Sequence, residues 1–398
     1  MAWNARGVRS KIVEVYYFML TNDIDACLVN ETNLNCDVNL CFDSRFRTIR
    51  LDRDENRVRI RNRGNPGGGV MIIVKRGIRV KILPLFDTTI IEALGVVIYS
   101  NTQSFTLIST YFPGVRSGSD VQKFKTDILK LTSFSQPFFL CGDLNAKHAF
   151  WNCVRSNSAG RVLYDLMCSN PFQVHFPPGP TYYPEDASKT PSTLDLVITN
   201  GLMPLSLIET NDGLSSSDHL PILFTINEPT PIDSDMYKVK DFCNADWTLY
   251  RNLLNNSTDL RVWNSQTMSS PEGIDSAIQM LTEGIKNAEE QSVPRKTIRM
   301  NNLQLDIHTL FLISQCNALR RRLKRNRNLD LRPRINLLSR KISDAIQDLI
   351  NQGFQQTLNS IDARDPLHKK LWKLSRNLRR KQNKMPVLKK DEIGRAHV

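Results

Sequence analysis

Short apolar runs in this chain stop directly at polar residues, and the clearest example spans residues 138–145. The apolar run 138–141 is followed by Gly142-Asp143-Leu144-Asn145. Runs of this length that end abruptly are typical of buried strands that stop at a site. On an extended chain, the side chains of Asp143 and Asn145 point to the same side. Such a carboxylate can take a proton from water, and the amide can hold that water or a phosphate oxygen, although an Asx turn after a strand explains the tetrapeptide equally well.

The same pattern recurs through the first 228 residues and predicts an α/β fold. Amphipathic helices are predicted at 10–20, 120–131 and 160–168. Strands are predicted at the start of 1–8 and at 25–32, 70–74, 90–98, 105–111, 138–141, 192–199 and 222–226. The charged stretch 43–63 is expected to be irregular, and the glycines at 67–69 are expected to form a tight turn, since they lack the lysine and helix start of a phosphate loop. This order of elements favours a four-layered α/β sandwich, with two packed mixed β-sheets flanked by helices.

The composition of the chain changes after residue 228. A Pro-Thr-Pro sequence at 229–231 marks a linker that extends to residue 240. Residues 241–391 show helical apolar spacing at 241–291, in two longer helices at 303–361, and in a last helix around 369–381. The formal net charge is about +1 for residues 1–228 and about +12 for the remainder. We therefore expect a near-neutral domain followed by a mostly helical basic region whose partner is a polyanion.

The ends of the chain and its cysteines suggest an intracellular fragment. Residues 392–398 match the peptide encoded by read-through of a common sequencing-library adapter, so we expect the natural protein to continue beyond residue 391. Met1 leads directly into the end of a predicted strand, so we expect it to be an internal methionine. The eight cysteines show neither a Cys-x-x-Cys pair nor zinc spacing. No signal peptide or membrane-spanning run is visible, and we expect a cytosolic or nuclear location.

Several predicted strands and loops end in chemically active side chains, and together these predict a phosphodiesterase. They are Asn4, Glu31, Tyr111, Asp143, Asn145, Asp195, Asp218 and His219. Each has a structural explanation of its own, such as a helix cap, a core aromatic or a turn. Clustered carboxylates, however, repel one another unless a cation or proton lies among them. Glu31 and Asp218 supply the hard oxygen ligands that suit Mg²⁺ or Mn²⁺, and a histidine beside a carboxylate is oriented and kept protonated by it.

An ordered set of six motifs resembles the endonuclease/exonuclease/phosphatase superfamily. The motifs are Trp3-Asn4, Asn30-Glu31-Thr32, Tyr111-Phe112-Pro113, Gly142-Asp143-Leu144-Asn145, Ser192-Thr193-Leu194-Asp195 and Ser217-Asp218-His219. Within that superfamily, residues 1–228 are most similar to the apurinic-type endonuclease domain of non-LTR retrotransposons of the jockey or I-like kind. The segments that carry this are Trp3-Asn4-Ala5-Arg6-Gly7, Leu144-Asn145-Ala146-Lys147-His148 and Pro180-Thr181-Tyr182. The basic region resembles, more weakly, the connector before a reverse transcriptase in such polyproteins.

The resemblance implies a metal-dependent endonuclease that nicks target DNA and leaves a 3′-hydroxyl for target-primed reverse transcription. It implies that Glu31 binds Mg²⁺ or Mn²⁺ with Asn4 and Asp218 nearby. It implies that Asp143 activates or orients the attacking water, helped by Asn145. The scissile phosphate would be contacted by Tyr111 and by His219, which Asp195 orients. The residues expected to bind substrate are Arg6, Thr181 and Ser217.

The implied partners are double-stranded target DNA and, through the basic region, the element's RNA; neither a membrane nor a small-molecule cofactor is expected. The expected location is the nucleus, after synthesis in the cytoplasm. The arginine cluster 57–63 and the loop 182–191 are candidates for target preference, although solvated surface loops are an equal explanation. The basic residues expected to bind nucleic acid are Arg320, Arg321, Arg322, Lys324 and Arg325.

Three other functions are compatible with these residues. An apurinic/apyrimidinic repair endonuclease would use the same site but would not need the basic region. The same holds for an inositol-phosphate or sphingomyelin phosphodiesterase of this superfamily. A nucleic-acid-binding module with an inactive site is the third, although no catalytic position is visibly lost.

Overall fold

The computed structural model describes residues 1–35, 38, 40, 43–53, 67–186, 188–227, 238–257, 271–297, 305–326 and 329–359. The contacts divide the chain into two compact units. The first comprises the described parts of Met1–Lys75, Val80–Thr230 and Asn302–Val398, and the second those of Arg76–Arg79 and Pro231–Asn301. The arginine cluster 57–63, the predicted helix around 369–381 and residues 392–398 lie outside the described residues.

The first unit is built on two six-stranded mixed β-sheets. In chain order, their strands are β1 (Ala2–Asn4), β2 (Ala26–Asn30), β3 (Phe46–Leu51), β4 (Val70–Lys75), β5 (Val80–Ile82), β6 (Glu92–Tyr99), β7 (Ser104–Tyr111), β8 (Phe138–Asp143), β9 (Gln173–His175), β10 (Asp195–Thr199), β11 (Leu205–Thr210) and β12 (Ile222–Ile226). The first sheet has the order β11-β12-β1-β2-β4-β3 and the second the order β5-β6-β7-β8-β10-β9. The pairs β1–β2 and β7–β8 are parallel, and the other pairs are antiparallel.

The helices of the first unit lie on the outside of its sheets. They are α1 (Ile12–Thr21), α2 (Gly118–Leu131), α3 (Ser158–Ser169), α6 (Ile307–Asn326) and α7 (Arg332–Asn359), with 3₁₀ turns at Ala149–Trp151 and Leu329–Leu331. The second unit contains α4 (Trp247–Ser257), α5 (Pro271–Ser292), the strand pair β13 (Lys238–Lys240) and β14 (Arg295–Thr297), and a 3₁₀ turn at Phe242–Asn244. The predicted α/β sandwich with a helical C-terminal region is confirmed.

The central strands are apolar at consecutive positions because both of their faces are buried. In β4, Met71 and Ile73 pack in the cluster that contains α1, whereas Ile72 is fully buried on the other face. In β8, Phe138 and Leu140 pack in the cluster that contains α2 and α3. Side chains alternate between the faces of a strand, so a strand enclosed between a helix layer and a second sheet reads as a continuous apolar run.

The hairpin of α6 and α7 is part of the first unit. Its helices pack on each other through Leu312, Cys316 and Leu338, and Ile346 of α7 joins the core cluster of α1. The side-chain amide of Asn317 donates to the carbonyl of Gly213 at 3.0 Å. The sequence-based boundary at residue 228 assigns these helices to a separate region, whereas the contacts group them with the two sheets.

The expectation that residues 43–63 are irregular is wrong for Phe46–Leu51, which forms β3. Among the described strands, β3 pairs with β4 alone and lies at the edge of the first sheet. Phe46 and Ile49 are buried, whereas Arg47 and Arg50 are partly exposed. Edge strands bury little apolar surface and often carry charged residues, so their pattern is weak.

No helix in the described part of the chain is long and apolar enough to cross a bilayer. Cys27 and Cys141 are free thiols inside the apolar strands β2 and β8. Burial raises the pKa of both thiols to about 12, so neither is a nucleophile at neutral pH.

Candidate active site

The register of the second sheet brings three predicted site residues into one row. Asp143 at the end of β8 lies opposite Tyr111 of β7 and opposite Asp195 of β10. The row requires close strand packing beside Gly142, whose φ is 152° and where an added Cβ would lie 1.9 Å from the carbonyl oxygen of Thr110. Glycine is therefore needed immediately before the aspartate.

Asp143 is buried at the junction of the two sheets and is held from both sides. Its Oδ2 accepts a hydrogen bond of 2.8 Å from the amide of Asn4, and its Oδ1 accepts one of 2.9 Å from the backbone N–H of Asn145. Its own backbone N–H donates to Asn30 Oδ1 at 3.3 Å. Burial raises the pKa of Asp143, and the neighbouring His219 acts in the opposite direction.

His219 lies between two buried carboxylates. Its Nδ1 is 2.7 Å from Asp195 Oδ2, a hydrogen bond, and its Nε2 is 3.7 Å from Asp143 Oδ2, which is too long for one. Burial alone lowers the pKa of His219, but the charges of Asp195 and Asp143 outweigh it and raise the pKa to about 9. The ring is therefore an imidazolium at neutral pH, and its Nε2–H is available for a ligand in the cavity.

Tyr111 and Glu31 form a second pair of predicted site residues. The Tyr111 hydroxyl donates to Glu31 Oε1. Burial and the Glu31 and Asp143 carboxylates raise the pKa of Tyr111 far above its usual range, so the phenol stays protonated. The guanidinium of Arg53 lies 5.7 Å from the centre of the Tyr111 ring.

Three site residues adopt a left-handed backbone. Arg6, Glu31 and Asn145 have φ of 45°, 47° and 45°, and each follows the end of a strand that runs towards the site. Such a conformation costs a residue other than glycine about 1–3 kcal/mol, and it concentrates at functional sites. The turns aim these side chains at the cavity at some cost in folding stability.

Asp218 is paired with Arg6 across the cavity rim. Arg6 Nη1 lies 2.9 Å from Asp218 Oδ2 and 2.7 Å from Glu185 Oε1. Both Arg6 and Glu185 are more than half exposed, so the Arg6–Glu185 pair contributes at most about 1 kcal/mol. The arginine can therefore exchange Glu185 for another anion at little cost.

Thr181 and Ser217 do not meet the expectation that they bind substrate directly. Thr181 is fully buried, and its hydroxyl accepts from the backbone N–H of Leu194 and of Asp195, at 3.0 and 3.1 Å. Ser217 is also buried, and its hydroxyl accepts from the backbone N–H of His219 at 3.3 Å. Both are positioning residues, because they hold the chain segments that carry the Asp195–His219 pair.

The site opens into a cavity of about 590 Å³. Glu31 and Asp218 line it together with Asp143, whereas Asn4 is buried behind Asp143 with its amide oxygen bound to the backbone N–H of Arg6 at 3.0 Å. Among the described residues, no three His, Cys, Asp or Glu side chains converge as a metal cage. Mg²⁺ keeps several waters and binds through one or two carboxylates, so the donor set of Glu31 and Asp218 fits it.

Three further residues of the sequence motifs lie at the site, although no individual role was predicted for them. Asn30 joins the two sheets, since its amide donates to Ser109 Oγ at 3.1 Å while its oxygen holds Asp143. The ring centre of Tyr182 lies 4.9 Å from that of His219, and Lys147 lines the cavity. Their positions inside the motifs are the sequence signal that could have identified them.

Known proteins of mobile elements are similar in sequence to this chain. A family model described as Endonuclease-reverse transcriptase matches residues 105–223. The probable RNA-directed DNA polymerase from transposon X-element of Drosophila melanogaster is 25% identical over 417 residues, covering 100% of this chain and 43% of that protein. The RNA-directed DNA polymerase from mobile element jockey of Drosophila melanogaster is 24% identical over 400 residues, covering 98% of this chain and 41% of that protein. The resemblance to the endonucleases of non-LTR retrotransposons is confirmed.

The chain spans less than half the length of the curated relatives it matches. The solved endonuclease domain of TRAS1, a telomere-specific non-LTR retrotransposon, matches with a TM-score of 0.44 and 19% identity, covering 57% of this chain and 96% of that domain. The family-model match includes most of β7, the strands β8 to β10 of the second sheet and His219, whereas Asn4 and Glu31 precede it. The structure places both parts around Asp143.

Proposed function

We propose that this chain is a DNA endonuclease that nicks double-stranded DNA by hydrolysing one phosphodiester bond and leaves a 3′-hydroxyl. The observation that carries this proposal is the imidazolium of His219, held between Asp195 and Asp143 at the wall of an open cavity. A fixed cation beside a carboxylate can stabilise a phosphate in its transition state while the carboxylate manages the attacking water.

In this mechanism, Asp143 accepts a proton from the attacking water. Asn4 and the backbone of Asn145 orient the Asp143 carboxylate. The water oxygen forms a bond to phosphorus as the bond from phosphorus to the 3′ oxygen breaks, and that oxygen takes up a proton to become the 3′-hydroxyl. The His219 Nε2–H donates to a non-bridging phosphate oxygen, and the Tyr111 hydroxyl, which donates to Glu31, holds that carboxylate at the cavity wall.

A divalent cation, Mg²⁺ or Mn²⁺, fits the proposed site. Glu31 and Asp218 would hold it, because both are carboxylates that line the cavity together with Asp143. When bound, such an ion supplies charge neutralisation for the phosphate and leaving oxygens.

The 3′-hydroxyl would prime reverse transcription of the element's RNA. The names of both curated relatives describe RNA-directed DNA polymerases, which is the activity such a nick would serve. We place this reaction in the nucleus, where the DNA target is, and assign RNA contacts to the exposed arginines of α6, Arg322 and Arg325.

Nicking of supercoiled plasmid DNA is the measurement that tests the proposal. The full chain should convert undamaged plasmid to the nicked form with Mg²⁺ and fail to do so with EDTA. Cutting only of plasmid that contains abasic sites would favour a repair endonuclease instead. Binding of plasmid without any nicking would favour an inactive binding module.

A further inference from the structure

A second cavity, of about 400 Å³, adjoins the catalytic cavity inside the first unit. The two cavities are neighbours, because Arg6, Pro184, Glu185 and Asp218 line both of them. The remaining wall of the second cavity comes from Lys11, Tyr183, the loop 215–217 and the helices α6 and α7. Apart from Ser217, which positions His219, none of these residues has a part in the proposed hydrolysis.

The walls of this cavity carry more cations than anions. The cationic side chains are Arg6, Lys11, Arg320, Lys324 and Arg332, and the anionic ones are Asp218 and Glu185. Cations around a concave surface concentrate the potential inside it. The cavity therefore attracts an anion.

Two polar atoms in the walls are buried and, within the described part of the chain, have no hydrogen-bond partner. They are Lys324 Nζ and Ser216 Oγ. The ammonium nitrogen of Lys324 lies over the Tyr183 ring, 5.8 Å from its centre. A buried ammonium without a hydrogen bond costs free energy, and a bound group with several acceptor oxygens would remove that cost.

The other cations of the wall already have partners. Arg320 Nη1 lies 3.6 Å from Glu14, Arg332 donates to the carbonyl of Glu185 at 3.3 Å, and Lys11 donates to the carbonyl of Ala5. Burial lowers the pKa of Lys324 to about 8, and the charges of Arg320 and Lys11 act in the same direction. Lys324 is thus the cation that gains most from an incoming anion.

We propose that this cavity binds a backbone phosphate of the target DNA beside the nicked phosphodiester, with Lys324 as its ionic partner and Ser216 as a hydrogen-bond donor. The inference rests on the proposed function, since the neighbouring cavity is the one assigned to a DNA phosphodiester. A duplex whose scissile phosphate lies in the catalytic cavity brings further backbone phosphates to the rim that the two cavities share, whereas an RNA ligand has no such link. The hairpin of α6 and α7 is then a DNA-binding part of the endonuclease.

The test compares Lys324→Gln with Lys341→Gln in the full chain. Both remove one lysine charge from the hairpin of α6 and α7, but Lys341 is exposed and does not line the cavity. Binding of a labelled DNA duplex is measured in EDTA over a series of salt concentrations. Lys324→Gln should weaken binding about 3- to 10-fold and reduce the slope of log affinity against log salt by about one, while Lys341→Gln should change affinity less than twofold.

Equal effects of the two variants would overturn the proposal, because the loss of affinity would then depend on charge alone and not on the position of Lys324 in the cavity. Weakened binding of an RNA duplex but not of DNA would also overturn it. Lys324→Met keeps the packing of the side-chain stem, and an unchanged melting temperature for it shows that the loss is not one of folding. Because EDTA blocks metal-dependent hydrolysis, a failure of nicking tests the proposed function and leaves this measurement intact.

Discussion

Replacing Asp195 with asparagine should slow nicking without weakening DNA binding. Asp195 is fully buried, and its Oδ2 holds His219 Nδ1 at 2.7 Å. The asparagine keeps the shape but removes the charge that orients the ring and keeps it protonated. A hydrogen bond to a charged group contributes about 1.5–3 kcal/mol, which corresponds to about a 10- to 150-fold loss in kcat.

The assay is the rate of plasmid nicking at saturating and limiting DNA concentrations. We expect kcat to fall and KM to stay within about twofold, because Asp195 lies behind His219 and does not line the cavity. Nicking by Asp195→Asn within threefold of the unmodified chain would refute the assignment of this pair.

A matched control separates this loss from one of stability. Asp127 is also fully buried, but it accepts hydrogen bonds from the backbone of Thr89, Ile90 and Ile91, away from the cavity. Asp127→Asn should lower the melting temperature and leave kcat per folded molecule unchanged. If it lowers kcat as much as Asp195→Asn does, the loss is one of folding and not of catalysis.

Three further predictions follow from the site and its neighbouring cavity. Glu31→Gln keeps the shape of a ligand and removes its charge, so the Mg²⁺ concentration for half-maximal nicking should rise at least tenfold; an unchanged metal titration would remove Glu31 from the metal site. Gly142→Ala would place a Cβ 1.9 Å from the carbonyl oxygen of Thr110, so the variant should unfold at a lower temperature, and a melting temperature equal to that of the original chain would contradict this geometry. The pKa of Lys324 is lowered to about 8, so the ammonium is charged below that pH and neutral above it. The ratio of the DNA affinity of the original chain to that of Lys324→Gln should therefore fall towards one as the pH rises from 7 to 10. A constant ratio would contradict the titration. The charged groups that face Lys324 are Asp218, Arg320, Asp212 and Lys11.

The inner strands of both sheets could be predicted from the sequence, and the outer ones could not. The four strands missed were β3, β5, β9 and β11, which are the four edges of the two sheets. An inner strand such as β8 is buried on both faces and shows an unbroken apolar run. β11 alternates partly exposed and exposed residues along its length, so its apolar signal is too weak to separate it from a loop.

Motif resemblance located the residues around Asp143 but not what each one touches. Asn4 was assigned to the metal site, whereas its amide holds Asp143. Thr181 was assigned to substrate, whereas its hydroxyl holds the backbone of Asp195. A motif specifies residue types at a spacing, and the direction of a side chain depends on strand register and on contacts from distant parts of the chain. The left-handed conformation of Glu31 is likewise a feature that a motif of residue types does not specify.

The packing of α6 and α7 was also beyond sequence reasoning. Their apolar spacing predicted helices, and the helices Ile307–Asn326 and Arg332–Asn359 are present. The composition change after residue 228 suggested a separate region, but Ile346 enters the core cluster of the first unit. Amphipathic spacing shows that a helix has an apolar face and does not show which surface covers it.

Direct extension of the nick by a DNA polymerase is the measurement that tests the central claim most directly. Undamaged supercoiled plasmid is nicked by the full chain with Mg²⁺ and then incubated with polymerase and labelled nucleotide, without phosphatase. The proposed mechanism predicts that label enters in proportion to the nicks, and that Asp143→Ala gives nicking reduced by about 10²–10⁴ and correspondingly little label. Nicks that accept label only after phosphatase treatment, or an Asp143→Ala variant that nicks within threefold of the original chain, would contradict it.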